Sequence, residues 1–498
     1  MELGAGRAGS FAAPAARPAA GAPTPHPSRQ TAAAPPSRAA HAPRAWARRL
    51  TTLPVIITAA ALIRIFAAWN YARHFSHHAL GVLPFLFEPG NIAYALATGQ
   101  GFASPLRVPS GPTAWVAPIY PGLVAALFHL FGVYAYGAFV AAVALNIAFV
   151  TLACWPLYAL GRRLGGVRVA ALAAWLWALY PNAILLTYES MWGSCLSALL
   201  AIAALWAIVA LDDVPHAPAR GLWPWAAYGL LWGVILLTNP TLSPLLPLWL
   251  GWWWWRRHHL AVPPRRIEAP APGPVGPTAR GGAAARSGRR WRAPALALLV
   301  AALVVLPWTV RNRVVMHAWL PIRSDLGLAL WLGNNPRATV LWHGQGHPID
   351  DARQRALFLR QGEIAYMRRK LHLALAYMAV HPAREAHLAW RRFLTFWSGG
   401  SPWPLASLVR FRSDWDRYVL LFDLLSGLAA LGGMVRLFLR RHPCAFPIAV
   451  VPLVIPWAYY LTLAVPRYRL PVDPAVMLLA ALCFLPSAGH PHSPRNRL

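Results

Sequence analysis

The long apolar runs of this chain limit its fold more than any other feature of the sequence. Several of them, such as residues 53–72 and 191–211, reach the roughly 20 residues that an α-helix needs to cross the hydrocarbon core of a membrane. Of the 498 residues, 57% are hydrophobic and only 12% are charged, a balance that is too apolar for a soluble globular protein. The sequence therefore predicts an all-α, polytopic membrane protein.

The apolar runs predict about ten transmembrane helices. The candidate spans are 53–72, 135–161, 167–185, 191–211, 223–238, 242–255, 294–310, 417–438, 444–465 and 472–486. A shorter run, 117–132, is expected to lie at the membrane interface or to form a re-entrant segment.

The positive charge is distributed unevenly along the chain. A formal net charge of +31 would suggest a nucleic-acid partner in a soluble protein, but here the arginines cluster in tails and loops between apolar runs. We therefore expect contacts with anionic lipid headgroups and no nucleic acid. With ten spans, the arginine-rich short loops all fall on one side, which predicts that both termini are cytoplasmic.

This arrangement divides the sequence into two transmembrane modules with basic flanking segments. Residues 1–50 are rich in Ala, Pro and Arg, lack periodicity and are expected to form a disordered cytoplasmic tail. The other predicted bounds are 51–255 for the first module with its extracytoplasmic loop 73–134, 256–293 for a flexible cytoplasmic linker, 294–486 for the second module with its extracytoplasmic segment 311–416, and 487–498 for a cytoplasmic tail. The segment 311–416 is long enough for a small soluble or interfacial subdomain.

Metal sites and disulfides are not expected. The four cysteines fall inside apolar runs without CxxC spacing. His74, His77 and His78 cluster after the first span, but Glu88 is the only carboxylate near them. No cofactor is predicted.

Some charges lie well inside predicted spans. Arg64 belongs to the first span and Asp423 to the eighth. A charge in a span is costly and normally faces the protein interior. Asp423 is the most natural long-range partner that the sequence offers to Arg64.

Glu88 is the candidate catalytic residue. It is the only acidic residue between Glu2 and Glu189, and it lies in the first loop at the edge of an apolar stretch, where a lone carboxylate indicates chemistry. The alternative is structural, because a carboxylate also stabilises the first turn of a helix, here residues 89–98.

An ordered set of motifs extends over roughly residues 53–486. The set comprises Glu88 and Asn91 before Gly99-Gln100-Gly101-Phe102, Pro118-Ile119-Tyr120-Pro121, Gly161-Arg162-Arg163, Tyr180-Pro181, Arg323-Ser324-Asp325-Leu326-Gly327, Leu332-Gly333-Asn334-Asn335-Pro336 and Pro466-Arg467-Tyr468-Arg469-Leu470-Pro471. It resembles the bacterial family 39-like glycosyltransferases, the group with the protein O-mannosyltransferases and the lipid A aminoarabinose transferase, which have the GT-C membrane fold.

The resemblance implies a glycosyltransferase of the bacterial inner membrane. Such an enzyme moves a sugar from a polyprenyl-phosphate donor to an acceptor, a lipid, glycan or protein, on the extracytoplasmic side. Family members carry an Asp in the first loop that engages the acceptor or acts as base. Here Phe85 occupies that position and Glu88 the second acidic position. Either Glu88 takes over the role, or the chain uses a different geometry, or it has lost activity.

The leaving phosphate of such a reaction gathers negative charge, which fixed cations stabilise. Arg467 and Arg469 flank Tyr468 on a short turn that is predicted to be extracytoplasmic, and Arg323 is a further candidate for the phosphate. The alternative is that Arg467 and Arg469 bind lipid phosphate at the outer interface.

Two other functions are compatible with the sequence. A lipid or solute transporter would also have many spans and intramembrane charges, but the chain shows no internal repeat with matching interrupted helices. A catalytically silent relative is the other alternative, suggested by the missing first-loop Asp.

Overall fold

The computed structural model describes residues 50–189, 191–213, 221–259, 291–340, 344, 346–399 and 414–484. Two predicted tails lie outside the described residues: 487–498, and 1–50 except for residue 50. Residues 260–290, most of the predicted linker 256–293, also lie outside them.

Within the described residues the regular structure is helical, as predicted for an all-α protein. The α-helices are α1 Leu53–Ala72, α2 His77–Val82, α3 Glu88–Ala97, α4 Ile119–Phe131, α5 Tyr136–Leu152, α6 Cys154–Ala178, α7 Pro181–Leu185, α8 Ser194–Asp213, α9 Trp223–Thr238, α10 Leu245–His259, α11 Arg292–Met316, α12 Leu326–Gly333, α13 Ala352–Gln361, α14 Glu363–Val380, α15 Pro382–Trp397, α16 Asp414–Leu439, α17 Ala445–Val454, α18 Pro456–Leu461 and α19 Asp473–Phe484.

Five stretches of the described chain are long and apolar enough to cross a membrane. A sixth is added if α2 and the turn after it, bent by 105° against α3, count as one span. Shorter apolar helices, among them α9 and α19, lie in other predicted spans, and α4 occupies the shorter run 117–132. These helices indicate a multi-pass membrane protein, while the number of ten spans stays a prediction.

One of the five stretches, Tyr136–Ala178, has 43 residues and reverses direction inside α6. Gly166 has φ 79° and ψ −171°, values outside the helical region. A Cβ atom added at Gly161 would lie 2.5 Å from Ala170 Cα, although nine residues of continuous helix would separate these positions by about 13 Å. The chain therefore turns back at Gly166, between the predicted spans 135–161 and 167–185.

Several predicted boundaries differ from the structure. The predicted span 444–465 is divided into α17 and α18, because Pro452 and Pro456 lack the backbone N–H that a continuous helix needs there. Helix α10 continues through Arg256 and Arg257 to His259. Those two arginines are therefore helical and do not belong to the linker.

The expected pairing of Arg64 with Asp423 is wrong. The Arg64 guanidinium is fully buried and donates to the carbonyl oxygens of Ala60, Trp177 and Ala178 at 2.9 to 3.1 Å. Backbone carbonyls near helix ends carry partial negative charge and can satisfy a buried cation.

The segments predicted to be extracytoplasmic share one hydrophobic core. Its buried members come from the first loop and from the later segment, and they are Ile92, Leu106, Trp115, Val116, Leu328, Ile349, Phe358, Tyr366 and Met367. Since a shared core fixes its contributing elements against each other, the loop around Glu88 and helices α12 to α14 form one packed unit, named the outer unit below.

Candidate active site

Glu88 lies at the first turn of α3, within the outer unit. Pro89 follows at the start of the helix, where its missing N–H costs nothing. The side chain is buried, and Glu88 Oε1 is 3.0 Å from His347 Nε2. The prediction of a helix start at this point is confirmed, but the carboxylate also reaches a partner far away in the sequence.

The hydrogen bonding of His347 fixes its tautomer. The Ile349 backbone N–H donates to His347 Nδ1 at 3.2 Å, so Nδ1 must be unprotonated. The proton of the neutral ring is therefore on Nε2, which donates to Glu88. His347 thus holds the Glu88 carboxylate through an oriented hydrogen bond.

Arg467 supplies positive charge on another side of Glu88. Its guanidinium carbon lies 4.2 Å from the ring centre of Trp192 and 5.1 Å from that of Tyr468. Burial opposes ionisation of Glu88, but the hydrogen bond from His347 and, to a smaller extent, the charge of Arg467 hold its pKa below the usual range. The buried Nε atom of Arg467 makes no hydrogen bond among the described residues. Trp192 also contacts Phe87, next to Glu88, with ring centres 6.3 Å apart. Arg467 is therefore held by aromatic faces, which leave hydrogen-bonding capacity for a ligand.

Arg323 and Asp325 form an ion pair beside the same carboxylate. Arg323 Nε donates to the Trp115 carbonyl at 3.2 Å. Burial raises the pKa of Asp325, and Arg323 opposes this shift. The charge of Glu88 also raises the pKa of Asp325.

Tyr459 packs against Tyr468, the residue after Arg467. Its ring stacks on Tyr468 with centres 4.6 Å apart, and the charge of Arg323 acts on its hydroxyl group. Tyr468 in turn lies against Arg467, and the Trp115 ring lies 5.5 Å from that of His347.

Glu363, at the start of α14, ties the first loop to the later segment. Its carboxylate accepts hydrogen bonds from the Thr113 hydroxyl, the Ala114 N–H at 2.9 Å and the Ser324 hydroxyl at 2.6 Å. Burial raises the pKa of Glu363, and the bonds from Ser324 and Thr113 oppose this shift. Glu363 thus fixes Ser324, next to Arg323, against the first loop.

Arg469 lies apart from Glu88 and Arg467. It is 1% exposed, and its guanidinium bridges Asp423 at 3.2 Å and Asp473 at 2.7 Å. It also donates to the Trp397 carbonyl at 3.2 Å. The N–H donors of Arg469 are occupied by protein groups, so Arg469 cannot bind the donor phosphate. The prediction that Arg467 and Arg469 both bind it is therefore wrong for Arg469.

Within the described part of the chain, no group of three or more His, Cys, Asp or Glu side chains is placed to hold a metal ion.

Solved structures resemble this chain in fold. The oligosaccharyltransferase AglB from Archaeoglobus fulgidus, in complex with an inhibitory peptide and a dolichol-phosphate, matches with TM-score 0.52 at 15% identity, over 86% of this chain and 50% of the other. ArnT from Cupriavidus metallidurans, bound to undecaprenyl phosphate, matches with TM-score 0.36 at 15% identity, over 86% of this chain and 77% of the other. The fold is of the GT-C type.

The chain spans about half the length of the oligosaccharyltransferase structures that it matches. No protein-family model and no curated protein matches the sequence. At 15% identity the likeness shows the fold alone, as the sequence predicted, and the chemistry has to be argued from the site.

The structure brings together Glu88, Arg323, Arg467 and Tyr468, which the sequence singled out separately. It adds His347 and Trp192, which the sequence did not indicate. The only local signal for His347 is its turn, in which Gly344 and Gly346 have φ of 71° and 81°, and a turn of this kind predicts no partner.

Proposed function

We propose that the chain is a membrane glycosyltransferase that transfers a sugar from a polyprenyl-phosphate donor to an acceptor on the extracytoplasmic side. The observation that carries the proposal is the placement of a buried carboxylate, Glu88, within the electrostatic range of Arg467, whose Nε has no hydrogen-bond partner in the described chain. The GT-C fold supports it, since a dolichol-phosphate is bound in the matching oligosaccharyltransferase structure.

Each charge has a role in such a transfer. The bond between the acceptor oxygen or nitrogen and the sugar carbon forms while the bond from that carbon to the phosphate oxygen breaks. Glu88 takes the proton that the acceptor loses. Arg467 and Arg323 stabilise the charge that develops on the leaving phosphate.

His347 orients the base. Its Nε2–H bond leaves the second carboxylate oxygen of Glu88 for the acceptor, because a carboxylate has several lone pairs. We propose His347 as a positioning residue, since it would act through Glu88 and not on the substrate.

The decisive experiment replaces Glu88 by Gln, which keeps size and most hydrogen bonding but removes the charge. Turnover should fall by roughly a hundredfold or more in folded protein. The matched control is Glu189→Gln, an exposed carboxylate in the turn after α7, and it should retain wild-type turnover. Sugar transfer is measured in native membranes at matched expression.

Equal rates for wild type and Glu88→Gln would remove Glu88 from the mechanism and leave it the role of stabilising the start of α3. If wild type transfers no sugar from any of a panel of polyprenyl-phosphate donors, the proposal fails and the catalytically silent alternative is favoured.

A further inference from the structure

Helix α15, Pro382–Trp397, has an apolar side that faces away from the protein. Its inward side is buried and includes Leu388, Arg392, Thr395 and Phe396. The outward side exposes Trp390, at 57%, and Phe393, and their rings stack with centres 5.2 Å apart. A helix on the water-facing surface of a protein presents polar residues outward. The outward side of α15 therefore suits a partner less polar than water.

The exposed aromatic pair continues into a helix of the predicted span 444–465. Phe393 contacts Tyr460 with ring centres 5.5 Å apart, and Tyr460 contacts Trp457 at 5.8 Å. Trp457, on α18, is 62% exposed. Aromatic side chains of this kind gather at the boundary between membrane and water. Trp390 and Phe393 thus extend an aromatic row from a span onto α15.

The position of α15 relative to that span is fixed by Arg392. This buried guanidinium donates to Tyr460 O at 3.1 Å and to Asn334 Oδ1 at 3.2 Å, and it also bonds Gly333 O. One side chain therefore joins α15, the end of α12 and α18. The apolar side of α15 is held at a set angle to the span.

The charge of α15 favours one kind of surface. Glu385 is the only acidic residue in the helix, and it is buried. Arg384 and His387 are exposed and Arg391 is partly exposed. A helix with exposed apolar and basic residues and no exposed acidic residue matches an anionic lipid surface.

We propose that α15 lies in the outer interface of the membrane, with Trp390 and Phe393 among the lipid chains and Arg384 and Arg391 among anionic headgroups. This placement would hold the outer unit, and with it Glu88, at the membrane surface. It does not depend on the proposed reaction.

The test places a fluorophore at Trp390→Cys in full-length protein carrying Cys483→Ser, because Cys154, Cys195 and Cys444 are buried. The matched control is Arg353→Cys, an exposed position on the polar helix α13. Both proteins are reconstituted in vesicles of phosphatidylcholine and phosphatidylglycerol. Lipids with a nitroxide on the acyl chain should quench the label at 390 at least about twofold more than the label at 353, and aqueous iodide should show the reverse order.

Two further measurements separate the possible occupants. Arg384→Gln should reduce the lipid quenching at 390 in anionic vesicles but not in pure phosphatidylcholine, because only the former offer it a counter-charge. A label at 390 that iodide quenches as strongly as the label at 353 would overturn the proposal. Protection from both quenchers, with a doubled mass in solution, would assign the surface to a second copy of the chain and would also overturn it.

Discussion

At the residue scale, Arg467 and Arg469 show how neighbouring residues of one motif acquire different roles. Among the described residues, Arg467 Nε has no hydrogen-bond partner, whereas Arg469 is enclosed by Asp423 and Asp473. Arg467→Gln should therefore weaken binding of a polyprenyl phosphate by about tenfold or more, equivalent to about 1.4 kcal/mol, with the fold intact. Donor binding in detergent measures the effect.

The control for this prediction is Arg469→Gln, which removes the cation between two buried carboxylates. Breaking such a cluster is expected to lower stability by about 3 kcal/mol or more. A lower thermal midpoint for Arg469→Gln, with an unchanged midpoint for Arg467→Gln, is the expected pattern. Unchanged donor binding by Arg467→Gln would instead assign Arg467 to membrane lipid.

His347 gives a second prediction at this scale. His347→Ala removes the donor that orients Glu88 and should lower turnover by about tenfold or more. His347→Gln carries an amide N–H near the position of Nε2 and should restore much of the rate. Steady-state sugar transfer by the two variants measures this difference. Equal loss in both would show that the imidazole does more than orient the carboxylate.

The sequence singled out Glu88 as a candidate because a lone acidic residue in an apolar region is conspicuous, and its catalytic role stays a prediction. It did not allow His347 to be predicted, since the contact depends on the packing of two distant segments. Arg469 was misassigned because spacing alone cannot show which side chain of a turn points into the core.

At the element scale, the outer unit depends on the hydrogen bonds of Glu363. Glu363→Ala would leave the N–H of Ala114 and the hydroxyls of Thr113 and Ser324 unpaired, which should cost about 1–3 kcal/mol. The measurement is the thermal midpoint, together with protease sensitivity of the first loop. A midpoint within error of wild type would show that the shared hydrophobic core alone joins the two segments.

The pH dependence of this contact follows from its pKa. Burial raises the pKa of Glu363, so the folded protein binds this proton more tightly than the unfolded chain. The stability that comes from binding this proton is therefore complete below the pKa that Glu363 has in the unfolded chain. It is lost as pH rises through the pKa of Glu363 in the folded protein. In Glu363→Gln, the free energy of unfolding should therefore fall less between acidic and neutral pH than in wild type. Thermal unfolding of both proteins over this pH range measures the difference.

The helices themselves were the most predictable elements. Length and apolarity placed α1 and α9 at the predicted residues 53–72 and 223–238. The break in the span 444–465 was not predicted, although Pro452 and Pro456 were visible in the sequence, because proline is tolerated in membrane helices when neighbours satisfy the freed carbonyls. Hydropathy could not predict the contacts within the outer unit, because it indicates which residues are buried but not which residues they contact.

At the scale of the whole molecule, the ends of several helices meet in one basic region. Arg256 is 2.9 Å from Asp212 at the end of α8. Trp252, toward the end of α10, donates to the Pro443 carbonyl, just before α17, at 3.2 Å, and Arg163, beside the Gly166 turn, lies near Cys444. Helix ends that lie this close must be on the same side of a membrane.

This contact pattern gives the topology prediction a structural basis that arginine counting alone did not have. Reporter fusions after Gly166, Arg257 and Arg441 should all report the cytoplasm, and a fusion near His347 should report the opposite side, because short cytoplasmic loops retain arginine. The three basic positions share one end of the molecule, so they must agree with one another even if the orientation were inverted. If all four fusions report the same side, the division into an outer unit and a basic cytoplasmic end is wrong, and Glu88 cannot meet a donor presented on the extracytoplasmic surface.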